Sequence, residues 1–179
     1  MIHKQMLPCV MAMALGAMPA MAALKVGERA PDFQAKAVMD GKVAPFSLAA
    51  ALKQGPVVLY FYPKAFTPGC TLEAHEFASS IDQFKALGAE VIGVSRDDLD
   101  QLGKFSVSEC QGKFPVATDP DQSIMKAYDA VMPAKPELAN RTSYVIAPDG
   151  KILYTYTDLK ADLHVANALS ALKQWKAMN

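Results

Sequence analysis

Residues 57–77 read V-V-L-Y-F-Y-P-K-A-F-T-P-G-C-T-L-E-A-H-E-F. The opening run, Val57 to Phe61, is apolar and rich in β-formers without alternation, the composition of a strand buried on both faces. Pro63 ends that strand, and a turn containing Pro68 and Gly69 follows. Beyond Cys70 the residues Phe77, Ile81, Phe84 and Leu87 recur at spacings of 4, 3 and 3, the period of a helix with one apolar face. Cys70 therefore falls in the first turn of a helix that leaves a central strand.

That address has chemical consequences. The unpaired N–H groups and the positive dipole end of a helix favour a thiolate over a thiol, and the thiolate is the nucleophilic form of cysteine. Thr67, three residues earlier, brings a hydroxyl to the same turn. The pattern is T-x-x-C, so Cys70 has no partner for dithiol exchange within a C-x-x-C pair. A lone activated thiolate beside a hydroxyl suits attack on a small electrophile.

The motif P-x-x-x-T-x-x-C, here Pro63, Thr67 and Cys70, resembles the active-site signature of the peroxiredoxins. The surrounding F-Y-P-K-A-F-T-P-G-C-T-L-E looks most like the bacterioferritin comigratory protein, or peroxiredoxin Q, branch. The resemblance runs from about Val26 to the C-terminus and includes A-P-D-F at 30–33 and R-T-S-Y-V-I at 141–146. It implies a thioredoxin-like α/β fold with an N-terminal β-hairpin extension, and a thiol peroxidase that needs a thiol reductant and no bound cofactor. Cys70 is then the peroxidatic nucleophile, attacking the terminal peroxide oxygen to give Cys–SOH and water or an alcohol. Thr67 is expected to hydrogen-bond the thiolate or the peroxide, or to cap the helix. Pro63 is expected to pack against the sulfur, or only to end the strand. The match of R-T-S-Y-V-I places the Arg141 guanidinium beside Cys70, where a cation stabilises the thiolate and the departing oxygen. Glu73 matches an acidic position that orients this arginine; by itself it also reads as a solvated first-turn carboxylate.

Many members of that branch carry a resolving cysteine five residues after the peroxidatic one, where this chain has His75. Some relatives carry it on the helix after the second strand, and Cys110 ends that helix here. Cys110 is thus the candidate resolving thiol, through a Cys70–Cys110 disulfide that needs the Cα atoms within about 7 Å and hence a helix end to unwind. Otherwise it is a packed cysteine, and an outside thiol reduces Cys70.

The start of the chain reads as a leader. Lys4 is followed by an apolar run from Leu7 to Met18 and by Ala20-Met21-Ala22, a small-x-small cleavage pattern. Residues 1–22 are thus expected to be a signal peptide that carries Cys9 away, the mature protein being exported to the periplasm or secreted. The run is too short for a membrane span. Residues 23–179 suffice for one domain with a full core. Its charges are scattered and balance to within one once Lys4 is gone, which gives no sign of a nucleic-acid or membrane partner.

Elsewhere, Leu24 to Leu52 reads as a hairpin of two or three short strands turning at Asp40-Gly41, then a short helix at Leu48–Lys53. Past the Cys70 helix come a buried strand at Glu90–Ser95, a helix at Leu99–Cys110, a strand at Phe114–Thr118 and a helix at Gln122–Tyr128. A hairpin follows, Thr142–Ile146 and Lys151–Thr157 about Ala147-Pro148-Asp149-Gly150, and then a helix at Asp162–Lys176. This order predicts a mixed sheet covered on both sides. His75 as the base of a Cys–His hydrolase is disfavoured, because five helical residues turn it about 140° from Cys70. His164 reads as a solvated histidine on the last helix. The two remaining histidines and two cysteines have no metal-ligand spacing, and no phosphate loop is present. A thiol–disulfide exchange protein and a non-enzymatic binding module are the competing classes; monomer and homodimer are both open.

Overall fold

The computed structural model describes residues 23–179, in which the chain forms β1 (Gln34–Met39), β2 (Lys42–Ser47), α1 (Leu48–Leu52), β3 (Val57–Phe61), α2 (Pro68–Ala86), β4 (Glu90–Ser95), α3 (Leu99–Ser108), β5 (Val116–Thr118), α4 (Ser123–Ala127), β6 (Thr142–Ile146), β7 (Ile152–Thr157) and α5 (His164–Ala177). The expected leader, with Cys9, lies outside the described residues. Among the described residues no helix is long and apolar enough to cross a membrane.

The seven strands form one mixed sheet in the order β2-β1-β5-β4-β3-β6-β7. β3, β4 and β5 are parallel, and β6 returns antiparallel to β3. All five residues of β3 are buried, as its unbroken apolar run requires of a strand covered on both faces. Alternation divides them: Val58 joins Tyr60 and Tyr62 in one core, while Val57, Leu59 and Phe61 enter the other. Phe77, Ile81 and Phe84 of α2, Leu102 and Phe105 of α3 and Val165, Leu169 and Leu172 of α5 fill the first core. Leu48 of α1 and Ile124 and Met125 of α4 fill the second. Each of these side chains removed from water contributes roughly 1.5–3 kcal/mol.

The N-terminal hairpin has two strands. Asp40 and Gly41 have φ of 49° and 70°, the left-handed pair that a two-residue hairpin turn demands. It is no appendage, because β1 pairs with β5 and lengthens the sheet. The other elements agree with the sequence to within two residues, and one difference bears on function. α3 stops at Ser108 with Glu109 as its C-cap, so Cys110 lies just past the helix instead of ending it.

Candidate active site

Cys70 is the third residue of α2, after Thr67 at the N-cap and Pro68 at the first helical position, where a missing N–H removes no intrahelical bond. Its side chain is buried, 1% exposed. The segment feeding the helix is held from below: Asp97 Oδ2 accepts from the Ala65 amide at 2.7 Å and from Ser95 Oγ at 2.8 Å.

Register explains how a residue 71 positions away reaches this sulfur. Phe61 at the end of β3 pairs with Thr142 at the start of β6, so Arg141 emerges at the edge where the chain leaves β3 for α2. Its Nη2 donates to Cys70 Sγ at 3.4 Å, its Nε donates to the Leu159 carbonyl at 2.9 Å, and its Nη1 pairs with Glu73 Oε2. Arg141 is 4% exposed and Glu73 is fully buried. Gly69 makes room for the guanidinium, since a Cβ there would stand 3.0 Å from Nη2.

The electrostatics follow from burial and this chain of contacts. Burial works against the Arg141 charge, but the Glu73 carboxylate and then Cys70 outweigh it and raise the guanidinium further above its ordinary value. Burial pushes the Glu73 carboxyl up to about 8, the charge and hydrogen bond of Arg141 pulling the other way and Glu76 adding a smaller push upward. The cation stays charged, and its carboxyl partner ionises only reluctantly.

Of the residues singled out in the sequence, the structure gathers Cys70, Glu73 and Arg141. The solvated reading of Glu73 is corrected by its complete burial. Thr67 Oγ1 donates to the Lys64 carbonyl at 2.9 Å, and no side-chain cap forms. The reason is local, for the 64–67 turn presents that carbonyl to both the amide and the hydroxyl of Thr67. Pro63 is half-buried in the loop that follows β3. His75 turns away from the sulfur and pairs with Glu109 at 2.8 Å. Cys110 is a buried free thiol in the same core as Cys70, and burial, then the neighbouring Glu109, push that thiol up.

His164 is the plain correction. It is completely buried, with Nδ1 2.8 Å from Ser143 Oγ and Nε2 2.9 Å from the Asp158 carbonyl. The signal was present: His164, Ala168 and Leu172 share a four-residue spacing that continues the buried face of α5. The Leu159 carbonyl has no such signal, because a backbone acceptor carries no residue type.

The model of the AhpC/TSA family matches residues 26–155. The chain belongs to the AhpC/TSA family. Within it the relatives are Bcp-like peroxiredoxins. Peroxiredoxin Bcp of Xanthomonas campestris is 32% identical over 154 residues, covering 76% of this chain and 95% of the relative. Peroxiredoxin Bcp of Bacillus subtilis is 33% identical over 156 residues, covering 84% and 96%. The crystal structure of peroxidoxin BcpB from Mycobacterium tuberculosis superposes with a TM-score of 0.76 at 30% identity, over 84% of this chain and 97% of that one. The thioredoxin-like α/β architecture expected from the sequence is thus the architecture of this AhpC/TSA member.

Proposed function

We propose that this protein is a thiol-dependent peroxidase in which Cys70 reduces hydrogen peroxide and organic hydroperoxides to water or alcohols. The observation that carries this reading is the Arg141 guanidinium donating to the buried Cys70 sulfur while Glu73 and the Leu159 carbonyl fix its plane. The thiolate attacks the terminal oxygen of ROOH; an S–O bond forms, the O–O bond breaks, and RO⁻ leaves to take a proton from solvent. A cation already in place at the sulfur stabilises the charge passing to the leaving oxygen without reorganising. Thr67, with its proton committed to Lys64, offers an acceptor at the same turn, and Pro63 shapes the approach.

The sulfenic acid is resolved by Cys110: its thiol attacks the sulfur of Cys–SOH, water leaves, and a thioredoxin-like dithiol reduces the Cys70–Cys110 disulfide. The burial of Cys110 favours a second reading for the closed conformation, in which an external thiol reduces Cys70 alone. The protein acts as a monomer or homodimer in the periplasm or outside the cell, as residues 23–179 after removal of the leader, and it needs no metal or bound cofactor. Peroxide consumption by the wild type and Cys70→Ser, with a dithiol present, tests the assignment. Loss of activity in the variant supports it, and unchanged consumption refutes it. Intact mass after one equivalent of peroxide separates the two recycling routes: loss of two hydrogens means a disulfide, and a stable gain of one oxygen means external reduction. The mass of the protein recovered from the cell envelope tests cleavage after Ala22.

A further inference from the structure

The segment that carries Cys110 is a short loop between two anchored ends. α3 stops at Ser108, and Phe114 is already buried, with its ring centroid 6.1 Å from those of Tyr60 and Phe77. Between these ends the loop folds on itself. The Cys110 amide donates to the Phe105 carbonyl at 3.1 Å, the Gly112 amide to the Ser106 carbonyl at 2.8 Å, and the Lys113 amide to the Cys110 carbonyl at 3.0 Å. Gln111 and Gly112 both have left-handed backbone, with φ of 53° and 64°. Glycine adopts it freely, whereas a glutamine is strained there and stays only where its surroundings hold it.

Two contacts with α2 do the holding, one on each side of Cys110 in the chain. His75 Nε2 lies 2.8 Å from Glu109 Oε2, and Lys113 Nζ donates to the Ala78 carbonyl at 3.0 Å. His75 and Ala78 are three residues apart in one helix, so the contacts land on adjacent turns of the same edge. They stand about 7.5 and 12 Å along the axis from Cys70, at 1.5 Å per residue. The loop is thus fastened beside the second and third turns of α2, while Cys70 sits in the first. Cys110 itself is 0% exposed, in the core that holds Ala74, Phe77 and Ala78 of the same helix.

We propose that His75 and Lys113 are positioning residues for Cys110: their contacts with Glu109 and the Ala78 carbonyl latch the 109–113 loop to α2, and the opening of this latch sets how often the Cys110 thiol becomes accessible. The loop swings out as a unit between Ser108 and Phe114, because its internal hydrogen bonds stay made while both contacts with α2 are lost. A contact present in the closed form and absent from the open one lowers the open population, and each one slows every reaction of this thiol. The consequence for recycling rests on the reading in which Cys110 attacks the sulfenic acid of Cys70. On that reading the latch is a brake on disulfide formation and leaves peroxide attack untouched.

The test has two arms. In the first, the mature chain carrying Cys70→Ser is treated with a water-soluble maleimide, and labelling at Cys110 is followed by peptide mapping as a function of urea. His75→Ala and Lys113→Met are each expected to speed labelling about two- to fivefold, what one partly exposed charged contact is worth. The two factors should multiply in the double variant, since both contacts are lost in one opening. The urea dependence should stay well below that of global unfolding, the mark of a local opening. Unchanged or slower labelling overturns the proposal, and so does labelling that follows global unfolding with its full urea dependence, as a merely structural role would give. In the second arm, with Cys70 intact, one equivalent of hydrogen peroxide is added and intact mass is followed in time. Both variants are expected to form the disulfide two- to fivefold faster while consuming peroxide at the wild-type rate. Faster labelling with an unchanged disulfide rate overturns the brake on recycling. A stable gain of one oxygen with no disulfide in any chain refutes Cys110 as the resolving thiol, and the labelling arm still decides the latch.

Discussion

Arg141 holds the site together as a matter of both charge and shape, and its removal separates the two. Arg141→Ala is expected to slow peroxide attack by about 10²–10³-fold, the usual loss of one preorganised charged donor. It should also cost about 1–3 kcal/mol of stability in urea unfolding near pH 7, where the Glu73 carboxyl holds its proton and is left buried without its hydrogen-bond partner. Glu73 makes a further expectation about pH. Its folded value of about 8 lies above the ordinary 4.5, so the native state holds a proton that the unfolded chain has already released. Stability from this group is therefore complete below about 4.5 and declines as pH rises through 8. His164 acts in the opposite sense, since burial lowers it from 6.5 and folding then gains stability as pH rises toward that value. The decline between about 6.5 and 8 should accordingly be visible in unfolding titrations of the wild type and flattened in Glu73→Gln.

At the scale of single elements, two glycines mark where backbone and side chain crowd. The first turn of α2 approaches Arg141 so closely that a Cβ on Gly69 would sit 3.0 Å from Nη2, and the guanidinium is tied on three sides and yields only by giving up a bond. Gly69→Ala is expected to cut the peroxide rate by about tenfold, one charge-assisted hydrogen bond, while thermal unfolding shifts little. Gly93 of β4 lies under the Tyr60 ring, where a Cβ would come within 2.7 Å, and Tyr60 is stacked on Phe77 with ring centroids 4.4 Å apart. Gly93→Ala is therefore expected to cost about 1–3 kcal/mol in denaturant unfolding by overpacking this core. What could be read from the sequence follows the same division. The strand, turn and helix around Cys70 are contiguous, and their periods and breakers announce them. The burial of Glu73 and His164 depends on α2 and α5 meeting over one face of the sheet, which no local pattern records. The bond of the Thr67 hydroxyl to a backbone carbonyl three residues back is equally illegible, since a carbonyl carries no residue type.

Across the whole molecule, the sheet does the work of assembly. The β3–β6 register carries Arg141 to the sulfur, and the same packing buries Cys110 in the core that also holds Cys70. The family motif named Arg141 from the sequence, but the motif could not show that Cys110 sits beyond the end of α3 and beside the His75–Glu109 contact. A closed fold that buries both thiols must open locally before they can bond. Hydrogen exchange of the oxidised protein is expected to show lost protection in the first turns of α2 and the end of α3, with the rest of the sheet unchanged. The most direct measurement begins one step earlier, with Cys110→Ser given one equivalent of hydrogen peroxide, a sulfenic-acid trap and peptide mapping. The expected result is a single trapped adduct on Cys70, formed at the rate of peroxide loss, with Cys70→Ser neither labelled nor consuming peroxide. An adduct elsewhere, or a Cys70→Ser protein that removes peroxide at the wild-type rate, would contradict the assignment of this sulfur as the nucleophile.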